Sequence, residues 1–442
     1  MARTQVTDLV VVLPGILGSR LADADGRAVW DLSGPALLRG LRGFGRSMGA
    51  LRLPKDIGDA DPGDGVVPVG LMPDLHALPG IWHPVDGYTD LLRWLERHFT
   101  LSVSDNLLTF PYDWRLSCRH SAERLKGRID LELERWRASA PERREARVVF
   151  LCHGMGGLVA RHYVERLGGH GITRRVITLG TPHRGSLRAL ADLVGSGHGA
   201  GPDLSPFARS LPSLHQLAPD YACVEGPDGL AHLRDLPGLP GVDEALLADA
   251  AGFHADLRGA PPRAGLYAIA GTGQPTATTA RYAGDRLVLL PGADGDGTVP
   301  RLGGAGGVTG PGTPYASCTP YEQHGSLQNN RAVREALRGL LGDEPLLPGD
   351  AAVTDPAARL RVQVPPVLPA GVPYEVTVTA PDDARLLMAE LRPADGGRPA
   401  ARALRSLGGG RYAVSFPPPE PGAYRLSVGP VTALSVIRRS AL

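Results

Sequence analysis

Apolar positions recur in one rhythm before about residue 345 and in another after it. Continuous apolar runs, "LVVVLP" (9–14), "VVFLCH" (148–153), "RVITLG" (175–180), "LYAIAG" (266–271) and "RLVLLPG" (286–292), read as strands. Short apolar runs bounded by turn residues fit strands buried on both faces. Between them, "YTDLLRWLERHF" (88–99) and "SAERLKGRIDLELERWRASA" (121–140) repeat apolar residues every three or four positions, the spacing of one helix face. Strands alternating with helices predict an α/β sheet. From about 190 to 260 the rhythm lapses into Gly-, Pro- and Leu-rich sequence with short helical pieces such as "SPFARSLPSLHQLAP". This stretch is expected to form a cap or lid over one face.

Past "LRGLLGDEPLLPGDAAVTDPAA" the period shortens to two. "LRVQVPP", "YEVTVTAP", "RLLMAELRP", "RYAVSFPPP", "AYRLSVGP" and "ALSVI" alternate apolar and polar residues between Gly/Pro turns. That pattern predicts a small all-β sandwich of immunoglobulin-like type. The expected division is an α/β domain over 1–345 with its cap at about 190–260, a linker at 346–355 and the sandwich at 356–442.

Composition narrows the function classes. At 442 residues the chain exceeds one ordinary domain. Lys and Arg total 47 against 46 Asp and Glu, a formal charge of +1, which leaves no bulk electrostatic case for nucleic acid or an anionic membrane. Lys occurs only at Lys55 and Lys126; beside 58 Gly and 41 Pro, that bias reflects GC-rich coding rather than a phosphate-binding surface. The four cysteines, Cys118, Cys152, Cys223 and Cys318, form no C-x-x-C pair. The N-terminus lacks a basic, then apolar, leader. No segment supplies the roughly 18 uninterrupted apolar residues of a membrane span. A soluble cytoplasmic protein is the expectation.

The chemistry concentrates where "VVFLCH" meets "GMGGLVARHYVERL". Strand, sharp Gly-rich turn and helix are the setting of the nucleophile elbow, whose consensus is G-x-S-x-G. Here the pentapeptide is Cys152-His153-Gly154-Met155-Gly156, so Gly154 occupies the nucleophile position. Acyl transfer through a covalent enzyme also needs a base, a group orienting it, and donors facing the developing oxyanion. Asp296, in "GADGDGTVP" after the strand "RLVLL", is placed to orient the base, although an Asp-Gly turn alone would look the same. His324, in "YEQHGSLQNN" ahead of a helix near Asn330, follows Asp296 in the chain order of α/β-hydrolases; position alone distinguishes it among 13 histidines. The backbone N–H groups of Ile16, in the turn "LPGILGSRL", and of Met155 are the candidate oxyanion donors. The first turn is otherwise simple punctuation, since it lacks G-x-G-x-x-G spacing.

Taken together, "PGILGSRL", "FPYDWRLS", "CHGMGGLVAR", "LGTPHRGS", "DGDGTVP" and "HGSLQNN", in that order, resemble the lecithin:cholesterol acyltransferase family. "DLHALPGIWHPVDGYTDLL" and "SLPSLHQLAP" resemble its pre-elbow segment and cap. The resemblance spans most of 8–335 and leaves the sandwich outside it. It implies an α/β-hydrolase fold and acyl-ester hydrolysis or O-acyl transfer on lipid-like substrates, without metal or organic cofactor. The family's triad maps onto Gly154, Asp296 and His324, its oxyanion donors onto Ile16 and Met155, and Tyr112-Asp113-Trp114-Arg115 onto a supporting motif. Five readings of Gly154 remain open: attack by Cys152 instead, slow hydrolysis by a water that His324 activates, attack by Ser326 or Ser186 although both read as turn or cap residues, a pocket that binds a lipid or acyl ester without reacting, or a substituted residue at an otherwise active site. The sandwich is the expected surface for any protein partner.

Overall fold

The computed structural model describes residues 3–31, 51–54, 56–73, 76–78, 81–195, 204–236, 238–239, 241–258, 264–283, 286–292, 295–304, 320–342, 359–383 and 386–438. The linker expected at 346–355 lies outside the described residues, as does Cys318.

Five parallel strands form the central sheet: β1 (Leu9–Leu13), β2 (Leu107–Thr109), β3 (Val148–His153), β4 (Thr173–Leu179) and β5 (Gly265–Ile269), in the order β5-β4-β3-β1-β2. Successive side chains point to opposite faces, so each strand feeds two cores. Leu9, Val11, Leu13, Val148, Phe150 and Cys152 join one cluster, with Leu125 and Ile129 of helix α2 (Cys118–Ala138) and Leu158 and Val159 of α3 (Gly156–Arg166). Val10, Val12, Val149 and Leu151 join the other, which includes Leu91 and Leu95 from Thr89–His98 (α1) and Val333 and Leu337 from Arg331–Leu341 (α6). Helices on both faces of a parallel sheet explain why these strands read as unbroken apolar runs. The two helices first expected at 88–99 and 121–140 are α1 and α2; α2 starts early because Ser117 caps it, its hydroxyl accepting from His120 N at 3.0 Å.

Between β4 and β5 the sheet rhythm is interrupted by α4 (Leu187–Val194), helical turns at Ser205–Ala208 and Pro212–Gln216, and α5 (Glu244–Arg258). The run at 286–292 is a strand, but not of the central sheet. It forms a hairpin, β6 (Thr276–Ala283) with β7 (Arg286–Gly292), in a separate four-stranded sheet. Asp296 therefore follows a strand yet is delivered to the end of β5 by a bridge to Gln274. Periodicity identifies the strand; only long-range pairing decides which sheet receives it.

The C-terminal strands are β8 (Arg361–Gln363), β9 (Val367–Pro369), β10 (Tyr374–Thr379), β11 (Met388–Pro393), β12 (Ala400–Ala403), β13 (Arg405–Gly408), β14 (Arg411–Phe416), β15 (Gly422–Val428) and β16 (Val431–Arg438). They form two sheets, β8-β10-β14-β13 and β9-β16-β15-β11-β12. All pairs are antiparallel except β9 with β16. Tyr374, Val376 and Val378 of the first sheet share one core with Leu391, Leu426 and Ile437 of the second.

Candidate functional site

The turn between β3 and α3 determines the geometry of the site. Gly154 has φ +50°, a left-handed conformation that glycine enters at little cost. Its N–H donates to Leu179 O at 2.9 Å, and its carbonyl accepts from Thr181 Oγ1 at 2.8 Å. A Cβ built on this backbone would stand 3.3 Å from Nε2 of His324 and 3.5 Å from the Cα of Gly15. The elbow thus faces the histidine on one side and the first-strand turn on the other.

His324 opens the short helical turn His324–Asn329 and is buried. Its Nδ1 lies 2.9 Å from Asp296 Oδ2, and its N–H donates to Asp296 O at 2.8 Å. The other carboxylate oxygen of Asp296 accepts from Thr298 N (3.0 Å) and Val299 N (2.6 Å). With Nδ1 donating to that carboxylate, a neutral imidazole presents its Nε2 lone pair toward residue 154. Gly180, at the end of β4 with φ +60°, leaves room for the pair. A Cβ there would lie 2.8 Å from His324 Nδ1 and 3.0 Å from Asp296 Oδ2.

Buried aromatics hold the first-strand turn. Tyr112 Oη donates to Pro14 O at 2.8 Å, Trp30 Nε1 to Leu17 O at 3.0 Å, and Gly15 N to Tyr88 Oη at 2.9 Å. Leu17 adopts φ +65°, a strained conformation for a branched side chain, held by its surroundings. Ile16 therefore sits in a fixed turn, next to the Gly15 whose Cα approaches Gly154, and Met155 is the N-cap of α3. The Tyr112-Asp113-Trp114-Arg115 motif is a clamp. Trp114 Nε1 reaches Ser19 O at 3.3 Å. Fully buried Arg115 pairs with Asp113 (2.7 Å) and Asp64 (2.8 Å).

Sequence reasoning missed one chain of polar groups. Tyr88 Oη lies 2.9 Å from His153 Nδ1, and His153 Nε2 lies 3.0 Å from His324 O. A carbonyl only accepts, so Nε2 donates, Nδ1 accepts the Tyr88 hydroxyl proton, and the Tyr88 oxygen receives Gly15 N–H. Burial pushes the Tyr88 phenol up, which keeps that proton in place. His153 was visible beside the elbow, but nothing in "DGYTDLL" marked Tyr88 as more than a helix start.

The alternative nucleophiles are engaged elsewhere. Burial raises the Cys152 thiol well above its usual range, and its side chain packs in the core. Ser186 caps α4, accepting from Arg188 N at 3.1 Å while donating to Thr298 O. Ser326 Oγ faces Asp86 Oδ2 at 3.5 Å.

Residues 84–210 match the lecithin:cholesterol acyltransferase family. The lecithin:cholesterol acyltransferase segment contains the clamp motif, the elbow and the Gly180 turn, whereas Asp296 and His324 lie beyond it. No curated protein sequence matches the chain. Among solved structures, a single-mutant thermostable endoglucanase from Alicyclobacillus acidocaldarius is 26% identical, with 16% of this chain and 13% of that chain covered and a TM-score of 0.15. The Bacillus licheniformis lipase BlEst2 is 12% identical in both of its forms. In its mature form, 76% of this chain and 92% of that chain are covered, with a TM-score of 0.36. In its propeptide form the shares are 98% and 72%, with a TM-score of 0.35. The α/β assignment stands on the sheet order and the strand–turn–helix geometry of the chain itself. Among the described residues, no helix is long and apolar enough to cross a membrane.

Proposed function

We propose that the chain carries an acyl-ester site of the lecithin:cholesterol acyltransferase type, directed at lipid-like esters, with its nucleophile position occupied by glycine. Asp296 orients His324, His324 is the base, and the Ile16 and Met155 N–H groups are the oxyanion donors. One observation carries the reading. The place where a side chain would leave residue 154 is 3.3 Å from the nitrogen of His324 that faces it, within the geometry of a nucleophile–base pair. No metal or organic cofactor enters this chemistry.

Without a hydroxyl at 154, no acyl-enzyme forms there, and Cys152, Ser186 and Ser326 do not replace it. That favours a second reading for the unsubstituted chain: it binds an acyl ester in the inherited pocket and turns it over slowly, through water, or not at all. The test is a panel of acyl esters, from short p-nitrophenyl esters to dispersed phospholipid, offered to the unsubstituted and Gly154→Ser chains. The expected result is saturable binding with little turnover by the first and His324-dependent turnover by the second. A folded Gly154→Ser chain inert across the panel overturns the acyl-ester reading.

A further inference from the structure

The sandwich does not hang free of the dyad. Each of the two loops that carry the dyad is tied to it through buried polar side chains. On the acid side, Gln274 is fully buried and bridges its backbone to Asp296. Its side-chain amide donates to Leu360 O at 3.2 Å and accepts from Val362 N at 3.3 Å, at the start of the sandwich. On the base side stands Asp86, 2% exposed. The Asp86 backbone N–H donates to Gly325 O at 2.8 Å, and Gln328 Nε2 donates to Asp86 O at 2.9 Å. The Asp86 carboxylate receives Asn329 Nδ2 at 3.1 Å and, from β15, Arg425 Nε at 2.6 Å.

Three further contacts fix the same turn. Glu322 accepts from Thr432 N of β16 at 2.9 Å, and Gln323 Nε2 donates to Val362 O at 3.2 Å. Gly325 packs so closely between Pro84 and Leu434 of β16 that an added Cβ would stand 2.2 Å from Pro84 O and 3.2 Å from Leu434. A cavity of about 200 Å³ remains between the two loops and the sandwich, lined in part by Asp296, His324, Val362 and Leu434. A domain attached only as a binding module would not need buried polar ties to both members of a dyad, since each buried group must find its partner.

We propose that the C-terminal sandwich is the positioning element of the Asp296–His324 pair, with Arg425 and Gln274 as its two positioning residues. The inference rests on the dyad reading above. Arg425 neutralises a buried carboxylate that itself holds the histidine turn; without it, Asp86 is left buried and uncompensated. Gln274 fixes the register of the acid loop against the first sandwich strand.

The test reads the dyad directly, by the far-downfield proton NMR resonance of the His324 Nδ1–H shared with Asp296, in the full chain. The unsubstituted chain is expected to show a resonance that Asp296→Asn removes. Its absence would sink the dyad reading itself, and the present proposal with it. Given the resonance, Arg425→Met and Gln274→Leu are expected to lose or shift it. Arg425→Lys should retain it. Val376→Ala, which thins the sandwich core at a residue that makes neither tie, should lower the melting temperature while leaving the resonance in place. Where Arg425→Met does not fold, the double substitution Asp86→Asn with Arg425→Met leaves no buried unpaired charge and reads the same signal. In the Gly154→Ser background, Arg425→Met is expected to lower kcat about 10²-fold, the cost of roughly 1 Å of misplacement, with KM little changed. The positioning role is overturned if the resonance survives Arg425→Met and Gln274→Leu unshifted, or if Val376→Ala abolishes it equally.

Discussion

Gly154→Ser adds one methylene and one hydroxyl at a place where the surrounding distances are known. The new Cβ would lie 3.3 Å from His324 Nε2, so a rotamer that turns the hydroxyl toward the imidazole brings it within hydrogen-bond reach, about 2.6–3.2 Å. Two terms oppose each other. The backbone at φ +50° charges a non-glycine residue about 1–2 kcal/mol for the left-handed conformation, a fall of a few degrees in melting temperature. On the other side, a serine acting with an aligned His–Asp pair contributes up to about 10⁶ in turnover, equivalent to roughly 8 kcal/mol of barrier. A pair displaced by 1 Å forfeits about 10² of that, so a gain of about 10⁴ or more is expected. The assay is the initial rate on p-nitrophenyl acetate, butyrate and octanoate, together with intact mass after fluorophosphonate treatment. The unsubstituted chain should give no adduct at position 154, and Gly154→Ser should give one. His324→Ala and Asp296→Asn in that background should each remove most of the gain. A Gly154→Ser chain that folds, forms no adduct and gains no rate would refute the assembled-site argument, because no step would remain for the missing hydroxyl to explain.

Three other outcomes follow from the same geometry. Gly180→Ala places a Cβ 2.8 Å from His324 Nδ1 at φ +60°; it should cost about 1–3 kcal/mol by overpacking, seen in chemical denaturation, and cancel any activity of Gly154→Ser. Arg115→Met strands Asp113 and Asp64 beside an apolar side chain; a loss of about 3–5 kcal/mol is expected, and Arg115→Lys should recover little of it, because the fork to Asp113 needs a guanidinium. Burial moves the Glu322 carboxyl up to about 8 from its ordinary 4.5, against the opposing hydrogen bonds from Asn330, Thr432 and Gln323. A folded-state value above the unfolded one means stability is full below 4.5 and is lost as pH rises toward 8, by at most about 1.4 kcal/mol per pH unit. Urea midpoints across that window should fall for the unsubstituted chain and fall less for Glu322→Gln.

Much of this was legible because the relevant physics is local. Runs of buried apolar residues announced β1, β3, β4 and β5, and helical spacing announced α1 and α2, since burial on one or two faces leaves a period in the sequence. Gly154, Asp296 and His324 were singled out by chain order and the strand–turn–helix setting, and the folded chain places them side by side. What stayed hidden depends on pairings far apart in sequence. Tyr88 meets Gly15 and His153 across 73 and 65 positions, and "YTDLL" carries no mark of it. Gly180 stood within a quoted motif, but only the dyad packed against it shows why a side chain is excluded there. Arg425 and Asp86, 339 positions apart, are an ordinary surface Arg and an ordinary turn Asp until the sandwich folds back onto the histidine turn.

The frame around residue 154 does not depend on a hydroxyl. Asp296 has its acceptors filled by Thr298, Val299 and His324; Tyr88 and His153 are satisfied through Gly15 and the His324 carbonyl; and the elbow is fixed by Leu179 and Thr181. These groups have their partners without a side chain at 154, and a buried polar group left unpartnered would cost about 1–3 kcal/mol; the His324 Nε2 that faces residue 154 is the atom a serine hydroxyl would engage. Glycine also removes the left-handed strain that a serine would bring. A glycine at position 154 is therefore compatible with the stability of the frame around it. His324-dependent turnover by Gly154→Ser is therefore the outcome that distinguishes a site wanting one group from a pocket that binds without reacting.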